Sequence, residues 1–175
     1  MIGRLLVAVP LLIAGALAVC LIVLMLTGRE RVWTTLYGKA DLGPAQFETL
    51  VRPAKPNQYL VCPDKYCQFT VPDRISKAYP VAPDLLLSYF AETVADLETV
   101  EVVNEPAPDD FRFIDRTRFF RFPDTISVDV VEGESGSSML AVFSRSQIGY
   151  SDLGANKQRV EALLMALEKR LAALP

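Results

Sequence analysis

Histidine is absent from all 175 residues. Its absence removes the usual near-neutral general base, the serine–histidine pairing and the commonest zinc ligand together. Cysteine is scarce, with three residues, too few for a soft-metal cluster or a disulfide scaffold. Basic residues are in the minority, 18 against 21 acidic, for a formal net charge of -3. Outside the apolar leading segment, which holds Arg4, the balance is -4. Nucleic acid is therefore not an expected partner. There is no internal repeat, no low-complexity tract and no glycine loop of the nucleotide-binding kind. No cofactor and no metal are expected, and any catalysis would have to come from other groups.

One long apolar run is present. Leu5 to Leu26 is 22 residues without a charge, about 33 Å as a helix against a hydrocarbon core of roughly 30 Å. The run predicts a single transmembrane helix. A cleaved signal peptide would have a shorter apolar region followed by a small-x-small site. The Leu17 to Cys20 box resembles a lipoprotein site, but with Val19 where a small residue belongs. Gly15 with Ala14, Ala16 and Ala18 makes a small-residue face suited to another helix. Arg4 flanks one side and Arg29, Arg31 and Lys39 the other, a count that favours a cytoplasmic domain. The pair Cys62 and Cys67 favours an oxidising compartment. The expectation is a bacterial inner-membrane, single-pass protein with a periplasmic domain, meeting membrane lipid through residues 5–26.

Three regions follow: a transmembrane anchor over 1–27, a linker and irregular segment over 28–75 that holds the cysteine loop, and an α+β domain over 76–175. Prolines 44, 53, 56, 63 and 72 mark the middle region as extended, with a short helix expected from Pro44 to Leu50. Trp33 and Tyr37 suit an interfacial aromatic belt. Leu86, Leu87, Phe90, Val94 and Leu97 step by three and four behind Pro83 and Asp84, and predict an amphipathic helix. Strands are expected over 99–103, 111–122, 126–130 and 139–143, with a break near 115–117. Asp152 to Leu174 carries Leu153, Val160, Leu163, Leu164, Leu167, Leu171 and Leu174 on one stripe and predicts the closing helix. The expected fold is α+β: one N-terminal transmembrane helix, then a four-stranded antiparallel sheet covered on one face by two helices.

The entry to the last helix holds the strongest candidate site. Ser151 or Asp152 is placed to accept hydrogen bonds from the first helical amides, and the remaining amides offer an anion site. Arg145, with Ser144 or Ser146, would complete a pocket for a carboxylate or phosphate. The plainer alternative is that Asp152 caps the helix and pairs with Arg145. Asn156 lies on the apolar stripe, so its amide needs partners; backbone groups of the strand end or of the loop near Gly149 would make it a structural clasp. Arg112, Arg116, Arg118 and Arg121 interleave with five phenylalanines. A strand with its charged face in solvent, paired with acids such as Asp115 and Asp129, fits better than a nucleic-acid sheet. Cys62 and Cys67 are expected as a structural disulfide; a redox pair or half of a metal site are the alternatives.

Cys62-Pro63 with Cys67, Phe122-Pro123-Asp124, and Ser144 to Asn156 followed by Arg159 together resemble the bacterial family catalogued as domain of unknown function 1499. The likeness spans Asn57 to Leu174. Family members usually show Pro-Asn before the second cysteine and Val-Ser-Ser after it, whereas Tyr66 and Gln68-Phe69-Thr70 stand here. The resemblance implies an envelope or membrane-associated domain and transfers no catalytic residues. The leading functional expectation is a non-enzymatic, membrane-anchored accessory or assembly partner of a membrane protein complex. The alternative is a binding module for a small anionic ligand or lipid, using Arg145, Ser144, Ser146, Ser151, Asp152, Asn156 and Arg159 and requiring a concave pocket at the start of the last helix. An enzyme ranks third, with Cys67 or Asp124 as its reactive groups.

Overall fold

The computed structural model describes residues 2–103 and 111–173, with the side chains of the first helix described for 9–23 and 26. The chain divides into two units, Met1–Gly38 and Lys39–Pro175. The first consists of α1 (Ile2–Thr27) and α2 (Arg29–Tyr37), separated at Gly28, whose φ of 77° breaks the helical path. Among the described residues no helix is long and apolar enough to cross a membrane. This corrects the expected transmembrane anchor. The expected localisation, a single-pass inner-membrane protein with a periplasmic domain, loses its anchor with it.

The second unit is built on a sheet of seven strands among the described residues: β1 (Gln58–Cys62), β2 (Arg74–Ile75), β3 (Ala78–Tyr79), β4 (Val100–Val102), β5 (Phe111–Arg116), β6 (Pro123–Glu132) and β7 (Ser138–Ser146). Their order is β2-β1-β7-β6-β5-β4, with β3 also pairing with β7. β1 and β2 are parallel and the other pairs antiparallel. The expected four-stranded antiparallel sheet is thus corrected to a seven-stranded mixed one. β1 escapes a pattern search because Tyr59, Leu60, Val61 and Cys62 are all buried. A strand covered on both faces has no alternation, and prolines bracket this one. β2 and β3, two residues each, are too short to show a period.

Helices α3 (Pro83–Ala95) and α4 (Ala155–Ala172) lie on one face. Pro83 opens α3 at a position whose amide needs no helical partner. α3 buries Leu86, Leu87, Phe90 and Val94; α4 buries Val160, Leu163, Leu164 and Leu167. They meet Val61, Phe111, Phe113, Ile126, Leu140 and Val142 from the sheet, and Phe90 packs edge-on against Phe111 at 6.3 Å.

The opposite face is covered as well. The chain from Lys39 to Leu50, read as linker, runs across it. Ala40 O accepts from Thr125 Oγ1 at 3.1 Å, Leu42 N donates to Thr125 Oγ1 at 3.1 Å, and Ala45 N donates to Ser127 Oγ at 3.2 Å. Asp41 holds Arg112 through Nε at 2.9 Å and Nη2 at 3.2 Å. Phe47, on a single 3-10 turn, packs with Leu60, Ala141, Phe143 and the cysteines. Half of the arginine cluster expected in solvent is accordingly inside: Arg112 and Arg116 are 6% and 8% exposed, whereas Arg118 is exposed and Arg121 half-buried. Arg116 pairs with Glu101 at 3.1 Å, and Tyr66, not an arginine, bonds to Asp129.

Cys62 and Cys67 form a disulfide beneath this second cluster, as expected from their spacing. Closing so short a loop constrains the unfolded chain only modestly. Replacing both cysteines by alanine should lower the unfolding free energy by about 2 kcal/mol, measured by urea denaturation. A loss above about 5 kcal/mol would mean that the bridge holds the whole outer layer rather than one loop.

Candidate functional site

Strand alternation decides what the Ser144-Arg145-Ser146 signature does. Successive side chains point to opposite faces, so Ser144 and Ser146 face the helices while Arg145 faces the 39–50 segment. There Arg145 Nη2 donates to the carbonyls of Leu42 at 3.1 Å and Gly43 at 2.6 Å, and the guanidinium lies 5.6 Å from the centre of the Phe143 ring. It does not meet Asp152 or the helix start. The pocket expected from Arg145 and the α4 amides is not assembled, because the sheet itself lies between them.

The remaining candidates do converge. Asp152 accepts from the amides of Gly154 at 3.0 Å and Asn156 at 2.8 Å, while Ser151 Oγ accepts from Leu153 N at 3.3 Å. These contacts, with positive φ at Leu153 and Gly154, wind the chain into α4. The amides and the Asn156 side chain outweigh the burial that opposes ionisation, and hold the Asp152 carboxyl below its ordinary pKa.

Asn156 is fully buried. Its Nδ2 donates to Asn57 O at 3.0 Å, Ser146 Oγ at 2.9 Å and Asp152 Oδ2 at 2.7 Å; its Oδ1 accepts from Ser144 Oγ and from Arg159 Nη1 at 3.0 Å. Asn57 donates in turn to the carbonyls of Ser146 and Gly149. One amide thus ties together the start of β1, the end of β7, the following loop and α4.

Arg159 lies one turn further along α4 and is the charged centre. Nε donates to Asp115 at 2.5 Å and Nη2 to Asp124 at 2.5 Å, with side-chain exposures of 9% for the arginine, 14% for Asp115 and 4% for Asp124. Two carboxylates face one guanidinium. Burial pushes the Asp124 carboxyl above its ordinary pKa despite Arg159 and a hydrogen bond from Ser146. Burial acts to lower the Arg159 pKa, but the two carboxylates outweigh it and raise the value overall. Both shifts point the same way, because two buried acids share one cation.

Beside this cluster opens a groove of about 790 Å³. Its floor is Ala155, Ala162, Leu163, Ala166 and Ala173 of α4 and the segment just beyond, with Leu97 opposite. Asp115 and Arg159 form one end. Lys169 and Arg170 stand near the other; Arg170 is bonded to Glu92 at 2.8 Å and Asp96 at 2.6 Å. The alanines recur at helical spacing on a second face of α4, a signal present in the sequence but masked there by the leucine stripe. Asp115, Asp124 and Asn57 were also missed as parts of the network, since partners so distant in sequence leave no spacing to read. Cys67 is tied in the disulfide and Asp124 in the ion pair. Among the described residues no group of three or more acids or cysteines converges as a metal site.

The strand-end, loop and helix-start architecture coincides with a known family. The chain belongs to the family described as "Protein of unknown function (DUF1499)", whose model matches residues 51–167. No curated protein matches. Among solved structures, Ara h 8.0201 is 12% identical, with 57% of this chain and 95% of that one covered and a TM-score of 0.37. TTHA0849 from Thermus thermophilus is 11% identical, with 66% and 97% covered and a TM-score of 0.35. Such scores assign neither fold nor function.

Replacing Arg159 by alanine strands two buried carboxylates and should cost about 3–5 kcal/mol. Asp124→Asn keeps Arg159 neutralised by Asp115 and should cost within about 1 kcal/mol; equal losses in chemical denaturation would refute the assignment of Arg159 as the centre. The pH dependence follows from the raised Asp124 pKa. The folded state favours the protonated acid, so this contribution is complete below the unfolded value of about 3.9 and is lost as pH rises through the folded value. The stability of the wild type should therefore fall relative to Asp124→Asn across that window, and a flat difference would contradict the raised value.

Proposed function

We propose that the domain is a non-catalytic binding module for a small amphiphilic molecule with an anionic head, held in the groove along α4. The groove is the observation that carries this reading. Its volume lies within the roughly 300–1,000 Å³ range of small-molecule sites, and apolar walls with a few polar groups are the usual lining. The Asp115–Arg159 end is already charge-compensated, and Arg170 is taken up by two acids. Lys169 is exposed and, among the described residues, makes no ion pair. It is the cation best placed to receive a carboxylate or phosphate, with an aliphatic tail along the alanine floor. The anionic-ligand reading of the sequence thus keeps its chemistry but moves away from Arg145. An accessory role in a larger assembly asks for a filled helix-to-sheet interface, and the open groove favours the ligand instead.

The test is displacement of a dansyl-labelled fatty acid by hexadecanoate from the full-length protein. Ala166→Phe fills the groove from an exposed helix position and should weaken binding at least about tenfold, equivalent to about 1.4 kcal/mol. Lys169→Glu should weaken the acid several-fold while leaving the corresponding alcohol unchanged. Binding that survives Ala166→Phe would place the ligand elsewhere, and no saturable binding would remove the reading.

A further inference from the structure

The end of the sheet where β5 turns into β6 exposes apolar side chains that the core does not use. Phe119 and Phe120, in the turn, are 72% and 55% exposed; Tyr150 and Leu153, in the loop from β7 to α4, are 71% and 93% exposed. The two loops leave the same end. Asp124 pairs in register with Ser146, and Gln147 N donates to Pro123 O at 3.4 Å. The turn is a defined shape: Arg121 N donates to Thr117 O at 2.9 Å, Thr117 N to Phe122 O at 3.0 Å, and Phe122 N to Thr117 Oγ1 at 2.9 Å. Phe119 packs edge-on against Phe120 at 5.0 Å, which holds the pair as one projecting unit.

Leu153 argues the same way. It sits at φ 54°, in the left-handed region that disfavours residues with a Cβ by roughly 1–2 kcal/mol. Asparagine or glycine would satisfy that turn with less strain and with no oily surface. Folding alone does not explain a leucine there.

The charge at this end differs in sign from that of the chain. Arg118 and Arg121 flank the phenylalanines, Lys39 is held beside Gln147 through its carbonyl, and Lys55 lies just before β1. The acids nearby are engaged: Asp115 and Asp124 by Arg159, Asp152 by the α4 amides, Glu101 by Arg116. A basic rim around aromatic and aliphatic tips, on a chain of net charge -3, matches an anionic bilayer surface, where aromatic rings settle at the headgroup level and each nearby basic residue adds attraction.

We propose that this end of the sheet docks on an anionic lipid surface, with Phe119, Phe120, Tyr150 and Leu153 entering the headgroup region. The contact is peripheral and is independent of the groove, so neither proposal falls with the other.

The test places a reporter at the tip itself. Full-length protein carrying Trp33→Phe and Phe119→Trp has a single tryptophan at an exposed site. With vesicles of equal parts phosphatidylcholine and phosphatidylglycerol, its emission should shift to the blue and be quenched by brominated lipid; pure phosphatidylcholine should give neither. Adding Arg118→Gln should weaken the apparent vesicle affinity about fivefold. Emission that responds to neither vesicle, or equally to both, overturns the proposal. So does an Arg118→Gln variant with unchanged affinity, or cross-linking from position 119 to a protein while vesicles leave the emission unmoved.

Discussion

A polar side chain placed between a helix and a sheet must have every hydrogen bond met, and that requirement organises this domain. Asn156 and Arg159 stand on α4 where leucines would otherwise continue the apolar stripe. Their partners come from β5, β6, β7, the loop before α4 and the residue before β1. Apolar packing would tolerate a helix shifted or rotated by part of a turn. An amide with three acceptors for its nitrogen, and a guanidinium forked between two aspartates, fix one register. The family signature around Ser144 to Asn156 is therefore first a prescription for geometry.

That same geometry creates the groove. With α4 pinned by its first two turns to the far ends of β5 and β6, its second face carries mainly alanines, and the space toward the end of α3 and the residues before β4 stays open. Larger residues there would close it at no cost to the pinned network. Arg159, at the charged end of the groove, is fully taken up by Asp115 and Asp124, so under the proposed reading anion recognition would fall to Lys169 at the opposite end. Site and scaffold share Arg159, which explains how a residue marked by the signature can border a pocket without being free to bind an anion itself.

How much of this was legible depends on the range over which each feature is encoded. The helices from Pro83 and from the Ser-Asp-Leu-Gly turn, and the strands around Ile126 and Val142, rest on local periods and caps, which a sequence displays. β1 did not show because both its faces are covered, so Tyr59 to Cys62 has no alternation. The 39–50 segment did not show because its order comes from main-chain bonds to Thr125 and Ser127. Arg145 was placed with Asp152 by nearness in sequence, although one step along a strand sends it to the other face. Asn156 was legible as a buried amide, since the stripe predicted its burial and burial dictates partners. The length of an apolar run proved a weaker guide than these local rules.

The strap from Lys39 to Leu50 has a further consequence for how the molecule is made. Its anchors on the sheet lie 82 to 85 residues later in the chain, and β1 must likewise await β7. At about 5–20 residues per second the ribosome needs roughly 4 to 17 s to supply those partners. Throughout that interval the early, proline-punctuated segment is without its mate. The prolines on either side of β1, which have no N–H to donate, limit how far any premature pairing could extend beyond Gln58–Cys62.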